Sequence, residues 1–382
     1  MERTSATKFI EHASTIASSY GFHPLREIDP LIFRKEVGRA PVSFSAAALV
    51  CAQHVTPRTS EPVLAWWASP LPSHAPSNLP PREAGEFCLQ VVGSSESLGE
   101  ILILKTLASI LSEWGSSIER VRVNSFGDRD SRERFTRELS AFLRRRLSHE
   151  PTELPEEERA RVFAHPFSAY TSETPVLRSL LAEAPRPIHY LSEKSRSHFK
   201  EFLEQLEHVG LPYEVDDTLG GDEREPRVIF RIDFSEGDHL VLGSGGGRYD
   251  DFVAKLCGRR EGANVHASIF FRKKGADRSS FTRTQAPEPK MYFVQLGVRA
   301  KLQGLQVVDL LRRANIPVAQ SFDTRSLSPQ LAAARTLQVP YVIIMGQREA
   351  LDSTVIVRSM RNSSQEIVAV SILPKYLKGL RV

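Results

Sequence analysis

The segment Gly245-Gly246-Gly247-Arg248-Tyr249-Asp250 is where residue types and spacing in this chain come nearest to a chemical device. Three glycines let a backbone approach a ligand closely, and N–H groups at the start of a following helix favour an anion. A glycine run of this kind serves equally as a tight turn. It is not a Walker loop, because no Lys-Ser/Thr pair follows, and its spacing does not match the dinucleotide fingerprint. Other reactive side chains are dispersed. His54, His74, His165, His189 and His266 have neither metal-ligand nor triad spacing and read as surface or packed histidines. Cys51, Cys88 and Cys257 are widely scattered, so no metal cluster and no disulfide framework is expected, which fits a reducing compartment.

The elements that would position these groups follow from periodicity. Phe9, Ile10, Ala13, Ile16 and Ala17 predict a helix over 5–20 that ends at Gly21. Residues 56–86 are too rich in proline for a long helix or a central strand, and read as loop with one short strand near Val63–Ala68. An alternating strand over Glu86–Gly93 precedes a helix over about 97–114. Val121–Asn124 is a strand, 129–146 a charged helix, and 147–160 an exposed acidic stretch. An amphipathic helix over 193–209 leads to strands at Tyr213–Val215, Arg227–Asp233 and His239–Gly243. The glycines then form a loop between that third strand and a helix over 249–257, before a buried strand at Ala263–Phe271. Polar residues 273–289 read as an interdomain linker. Beyond them strand and helix alternate: Tyr292–Leu296, 299–314, Pro317–Ser321, 327–337 and Tyr341–Met345. This alternation predicts a small α/β domain with a parallel sheet, completed by strands near 353–360 and 366–372. There is no internal repeat.

At 382 residues the chain has room for two domains with separate cores. Its composition is ordinary for a globular protein, and no apolar run approaches the roughly 20 residues that cross a bilayer. The N-terminus has no signal-peptide core, so a cytoplasmic location is expected. The net charge of +4 is unevenly spread. Residues 290–382 hold 13 Lys/Arg against 5 Asp/Glu, a balance of +8, which leaves −4 on the remainder. A basic module beside a mildly acidic body points either to a polyanion partner or to a solvated basic surface.

The residues in and around the glycine segment resemble a family. Ser244–Asp250, Leu256-Cys257-Gly258-Arg259 and Ala263 through Arg272 are similar to the end of the histidyl-tRNA synthetase catalytic domain, where a GGGRYD segment leads through a short helix to the strand of the third synthetase motif. In that register Arg272 falls on the motif arginine that contacts ATP. Val121–Asp128 resembles the family's NSIGD strand-turn, Val176–Tyr190 its insertion region, and Leu89–Leu102 the strand and helix after the second motif. Asp323–Leu331, Ala334 and Tyr341–Glu349 resemble the anticodon-binding domain; residues 1–55 match weakly. The resemblance implies an α+β class II synthetase-like antiparallel-sheet domain over 1–272 with an insertion at about 145–190, a linker over 273–289, and an α/β anticodon-binding-like domain over 290–382. It also implies a homodimer.

Departures from the family fall where chemistry is done. Forming an aminoacyl adenylate brings an ATP phosphate to a carboxylate, so arginines must neutralise the charge that develops. The region of the second-motif arginine reads Trp66–His74 with no basic group; Arg82 lies nearby, after a proline pair. The family's Arg-Gly-Leu-Asp-Tyr-Tyr run reads Gly220–Glu225, so the arginine and both tyrosines are gone. Its Pro-Glu-Gly-Thr run reads Val42–Ser45, without a carboxylate. Small glycines near ATP align with Val265 and Ile269, whose side chains should intrude on the nucleotide. Arg272, Glu86 and Gln90 are vestiges of the old pattern, with Arg272 also readable as a solvent-facing strand-end arginine. Gly245, Gly246, Gly247, Arg248, Tyr249 and Asp250 are candidates for a nucleotide or ligand pocket.

The leading expectation is a synthetase-like protein without aminoacylation activity that needs no cofactor or metal and works by binding tRNA, another structured RNA or a protein. Arg325, Gln330, Arg335, Arg348 and Arg361 are the candidate RNA contacts. Two alternatives stand beside it. One is a regulatory subunit of the ATP phosphoribosyltransferase of histidine biosynthesis, although such regulators usually lack the anticodon domain. The other is a divergent active histidine–tRNA ligase using ATP and magnesium.

Overall fold

The computed structural model describes residues 5–38, 42–54, 62–69, 84–149, 154–220, 226–235, 240–259, 262–272, 289–322 and 326–380. Its first layer is an eight-stranded sheet of β1 (His23–Pro24), β2 (Val63–Ser69), β3 (Ala84–Val92), β4 (Ile118–Ser125), β5 (Tyr213–Val215), β6 (Val228–Phe234), β7 (Val241–Arg248) and β8 (Asn264–Arg272). The spatial order is β1-β2-β3-β8-β7-β6-β4-β5. The five inner pairings are antiparallel and the two edge pairings, β1 with β2 and β4 with β5, are parallel. The second is a five-stranded sheet of β9 (Met291–Gln295), β10 (Val318–Gln320), β11 (Tyr341–Met345), β12 (Thr354–Ser359) and β13 (Gln365–Ala369), in the order β10-β9-β11-β12-β13. The three strands of the alternating region are parallel as expected, and the last two turn antiparallel.

The helices are α1 (Ser5–Ser19), α2 (Leu25–Ile28), α3 (Pro30–Glu36), α4 (Phe44–His54), α5 (Leu98–Glu113), α6 (Arg129–His149), α7 (Glu156–Ala164), α8 (Pro175–Ala182), α9 (Glu193–His208), α10 (Asp250–Leu256), α11 (Val298–Arg313), α12 (Leu327–Thr336), α13 (Gln347–Asp352) and α14 (Leu373–Gly379). Both faces of the large sheet are covered. On one, Phe87, Leu89, Val91, Val265, Ala267 and Ile269 meet the apolar stripes of α1 and α5. On the other, Ala65, Trp67 and Cys88 meet Ala47, Val50 and Cys51 of α4. This explains why β3, which alternates in sequence, is buried at every position. A third core built by Phe135, Leu139, Leu143, Val162 and Leu177 supports the insertion, so part of the stretch read as exposed and acidic is helix α7. Residues 150–153 and the expected linker, apart from Pro289, lie outside the described residues.

The two sheets share one hydrophobic core, because α11 lies against α1 and α5 with Ala300, Leu305 and Val308 turned inward. Polar contacts ring this junction. The Tyr20 hydroxyl is 2.9 Å from Ser109 Oγ, and Arg312 Nη1 donates to Glu113 Oε2 at 2.9 Å. No helix among the described residues is long and apolar enough to cross a membrane.

Candidate functional site

Antiparallel registry decides which side chains share a face. Cys88 lies opposite Ser268, and Ser268 opposite Gly245; Gln90 lies opposite His266, and His266 opposite Gly247. Side chains alternate along a strand, so Glu86, Cys88 and Gln90 project with His266, Ser268 and Phe270. Arg272 shares this parity. Val265 and Ile269 do not: they point to the opposite face and pack in the core with α5. The expectation that they intrude on a nucleotide space beside Arg272 is therefore corrected by the period of the strand itself.

The glycine segment is also placed differently from the sequence reading. Gly245, Gly246 and Gly247 are inside β7, not in a loop before a helix. What requires glycine is the closeness of the neighbouring strands. A Cβ on Gly246 would lie 2.1 Å from the His266 carbonyl oxygen, and one on Gly247 would lie 2.4 Å from that of Val228. These glycines pack the sheet rather than cradle an anion.

Arg248 is the largest fully buried side chain and its guanidinium is consumed by the protein. Its Nε donates to Glu100 Oε1 at 2.7 Å and its Nη2 to Glu100 Oε2 at 2.6 Å. Further bonds reach the carbonyl oxygens of Ser94 at 3.0 Å and Glu96 at 2.8 Å. His198 Nε2 lies 2.9 Å from the same carboxylate. Burial alone would push the Glu100 carboxyl up; Arg248 and His198 outweigh it and hold it at about 2. Such a forked, desolvated pair fastens β7 to α5, and breaking one partner leaves an uncompensated buried charge. Asp250 accepts from the Asn264 backbone N–H at 2.8 Å, tying the start of α10 to β8.

Tyr249 points to the other face and enters an aromatic cluster. Its ring is 5.2 Å from Phe44, Phe44 is 4.7 Å from His266, and Trp67 stacks on His266 at 5.5 Å. Phe44 and Trp67 are 3% and 4% exposed, so this part of the face is filled by rings. Glu86 and Gln90 lie beside it, both buried. The Ser268 hydroxyl donates to Glu86 Oε1 at 2.6 Å. Neither polar atom of the Gln90 amide has a hydrogen-bond partner among the described residues.

The cations around this face are mostly engaged. Asp251 takes Arg132 at 2.6 Å and Arg227 at 2.8 Å, while Arg122 is shared by Asp216 and Asp233. Two arginines have no ion pair or hydrogen bond with the described residues: Arg272, which is exposed, and Arg231. Arg231 is half-buried on β6 opposite Gly245, and burial, together with Arg122, pushes its pKa down. The row of Ser268 and Gly245 places it four residues along β8 from Arg272, about 13 Å. Arg231, Cys88, Ser268 and Trp67 were missed by the sequence reading. Their only signal is i, i+2 spacing on strands whose pairing the sequence does not reveal.

In the second sheet, Gln330 is fully buried and clamps β9: it accepts from the Gln295 N–H at 3.1 Å and donates to the Gln295 carbonyl at 2.9 Å. Its amide is spent, so it is no RNA contact. Arg335, Arg348 and Arg361 are exposed, and Arg325 lies outside the described residues. They do not form one patch. Arg335 precedes β11 and Arg361 follows β12, at the end of the sheet where Tyr341 pairs with Ser359. Exposed Lys290 precedes β9 at this same end. Arg348 follows β11 at the opposite end, 3.6 Å from Asp352.

Residues 293–380 match the anticodon binding domain family. Over 352 residues the chain is 27% identical to the histidine–tRNA ligase of Rubrobacter xylanophilus, covering 88% of this chain and 80% of that protein. It is 26% identical to the ligase of Acholeplasma laidlawii over 78% of this chain and 71% of that one. These similarities to histidine–tRNA ligases run over most of the chain, and the anticodon-binding match accounts for its C-terminal part. Apo histidyl-tRNA synthetase from S. aureus aligns over 86% of this chain and 79% of its own at 17% identity, with a TM-score of 0.40. Arg248, Asp250 and the three glycines serve the sheet, and of the positions that depart from the family pattern Phe44 lies in the ring cluster with Tyr249 and His266. Gly220 lies against Tyr170, with a built Cβ 2.0 Å from its side chain, so an arginine there would not fit without movement. The segments 221–225 and 70–83, including Arg82, lie outside the described residues.

Proposed function

We propose that this protein is a histidyl-tRNA synthetase relative without aminoacylation activity, which acts by binding tRNA or another structured RNA through its C-terminal domain. The observation that supports this most is the state of the face around Tyr249. Adenylate formation needs cations converging on two anions. That face instead carries packed rings, and the two described arginines free to meet an anion there, Arg231 and Arg272, stand about 13 Å apart in the strand direction and two strands apart across it. Engaged cations such as Arg227 and Arg248 would have to abandon buried or half-buried carboxylates to serve a substrate.

Lys290, Arg335 and Arg361, exposed at one end of the second sheet, are the basic groups we infer to meet phosphate. The large sheet then acts as a scaffold, and the family resemblance favours a homodimer built through it. Purified protein incubated with ATP, histidine and tRNA should show no turnover above that of an Arg272→Ala control. Labelled tRNA should bind at low salt with affinity that falls steeply as salt rises. Turnover well above the control, or no tRNA binding at low salt, overturns the proposal. Sedimentation tests the dimer.

A further inference from the structure

Glu86, Cys88 and His266 come from strands far apart in sequence, yet their ligand atoms all lie within 4.8 Å of one another. They are 1%, 0% and 4% exposed. Registry explains the meeting: residues two apart on β3 face residues two apart on β8 across an antiparallel pair. The Ser268 hydroxyl sits at the centre, 2.6 Å from Glu86 Oε1 and 3.5 Å from both Cys88 Sγ and His266 Nε2. Gln90, on the same face and directly opposite His266, is fully buried, and neither amide atom is hydrogen-bonded among the described residues. An unsatisfied amide in so dry a place is costly unless something else meets it.

We propose that Glu86, Cys88 and His266 form a buried site for a zinc-class divalent cation, with the Gln90 amide oxygen closing a four-coordinate shell. One thiolate, one imidazole and one carboxylate are the donors that suit zinc; magnesium and calcium take shells of oxygen. Bonds of about 2.0–2.3 Å give a tetrahedron with edges of about 3.3–3.8 Å, so the three side chains need to close in only slightly. The Ser268 hydroxyl swings out of the centre by one χ1 rotation. Charge balances as well: a divalent ion neutralises one carboxylate and one thiolate, and the thiol proton leaves to solvent on loading. Trp67 stacks on the His266 ring and Phe44 meets it edge-on, fixing its orientation. The ion would pin β3 to β8 beneath the aromatic layer. This inference stands independently of RNA binding.

The test uses the full chain, stripped with a chelator and titrated with Co²⁺ alone. The expected result is one Co²⁺ per chain, intense visible bands of tetrahedral cobalt, and a sulfur-to-cobalt charge-transfer band in the near ultraviolet. Cys88→Ser should abolish the charge-transfer band, whereas Cys51→Ala and Cys257→Ser should keep it. Glu86→Gln should weaken binding at least as much as losing an outer-shell partner does, roughly 10–100-fold. Ser268→Ala, which empties the centre, should bind Co²⁺ more tightly than wild type. Wild-type protein with no thiolate–cobalt band overturns the proposal without any variant having to fold. So does a band that survives Cys88→Ser, or one lost on changing Cys51 or Cys257 instead.

Discussion

The two sheets put their basic residues to different uses. In the large sheet the GGGRYD segment serves the fold: Arg248 holds Glu100 in the core, and the glycines admit neighbouring strands. In the small sheet the cations Lys290, Arg335 and Arg361 are exposed, and their side chains make no ion pair with the described residues. A motif of this kind is constrained by structure whatever its chemistry, whereas an exposed arginine carries no such constraint. Gln330 marks the boundary between the two cases, since it lies in the basic domain but serves the fold.

Arg248→Ala is the strongest test of this contrast. It strands Glu100, which is completely buried, and should cost about 3–5 kcal/mol in urea unfolding. A loss below about 1 kcal/mol would mean that the pair does not fasten β7 to α5.

Acid should act on the same pair. The folded-state pKa of Glu100, about 2, lies below its ordinary 4.5. A depressed carboxyl contributes stability that is present above the unfolded value and lost as pH falls toward the folded one. Roughly 3 kcal/mol should therefore disappear between about pH 4.5 and 2. Unfolding midpoints measured across that window should show the decline, and Glu100→Gln should remove its steepest part.

Gly246→Ala comes next. The added methyl meets the backbone oxygen of His266 rather than a mobile side-chain end, so the strands must part. A loss of about 1–3 kcal/mol, read as a lowered Tm, is expected. A neutral result would return the glycine to a ligand-facing role.

Arg335→Ala and Arg361→Ala should change stability by less than about 0.5 kcal/mol. Each should lower the slope of log affinity for tRNA against log salt by about 0.9. Arg348→Ala, at the other end of the sheet, should leave that slope unchanged. Equal effects from all three would dissolve the distinction between the two ends.

Much of the architecture was readable in advance. The boundaries of α5, α9, α10 and β8 follow from apolar periodicity within two residues, because their buried faces are continuous in sequence. The C-terminal alternation forecast its parallel strands for the same reason. The candidate site was read less well. Gly245–Gly247 looked like a loop because glycine signals both turns and close strand packing, and only the neighbouring carbonyl oxygens distinguish them. Val265 and Ile269 were placed on the wrong face because the resemblance fixed their register in sequence but not the side to which they point.

Residue order alone determined the family resemblance, the strand and helix periods, and the uneven charge, since each of these is a local or cumulative property of the chain. Tertiary structure alone decided that Arg248 is spoken for, that Gln330 is internal, and that Glu86, Cys88 and His266 meet. Those facts depend on which strand lies beside which, and pairing across some 180 residues is settled by the packing of whole layers.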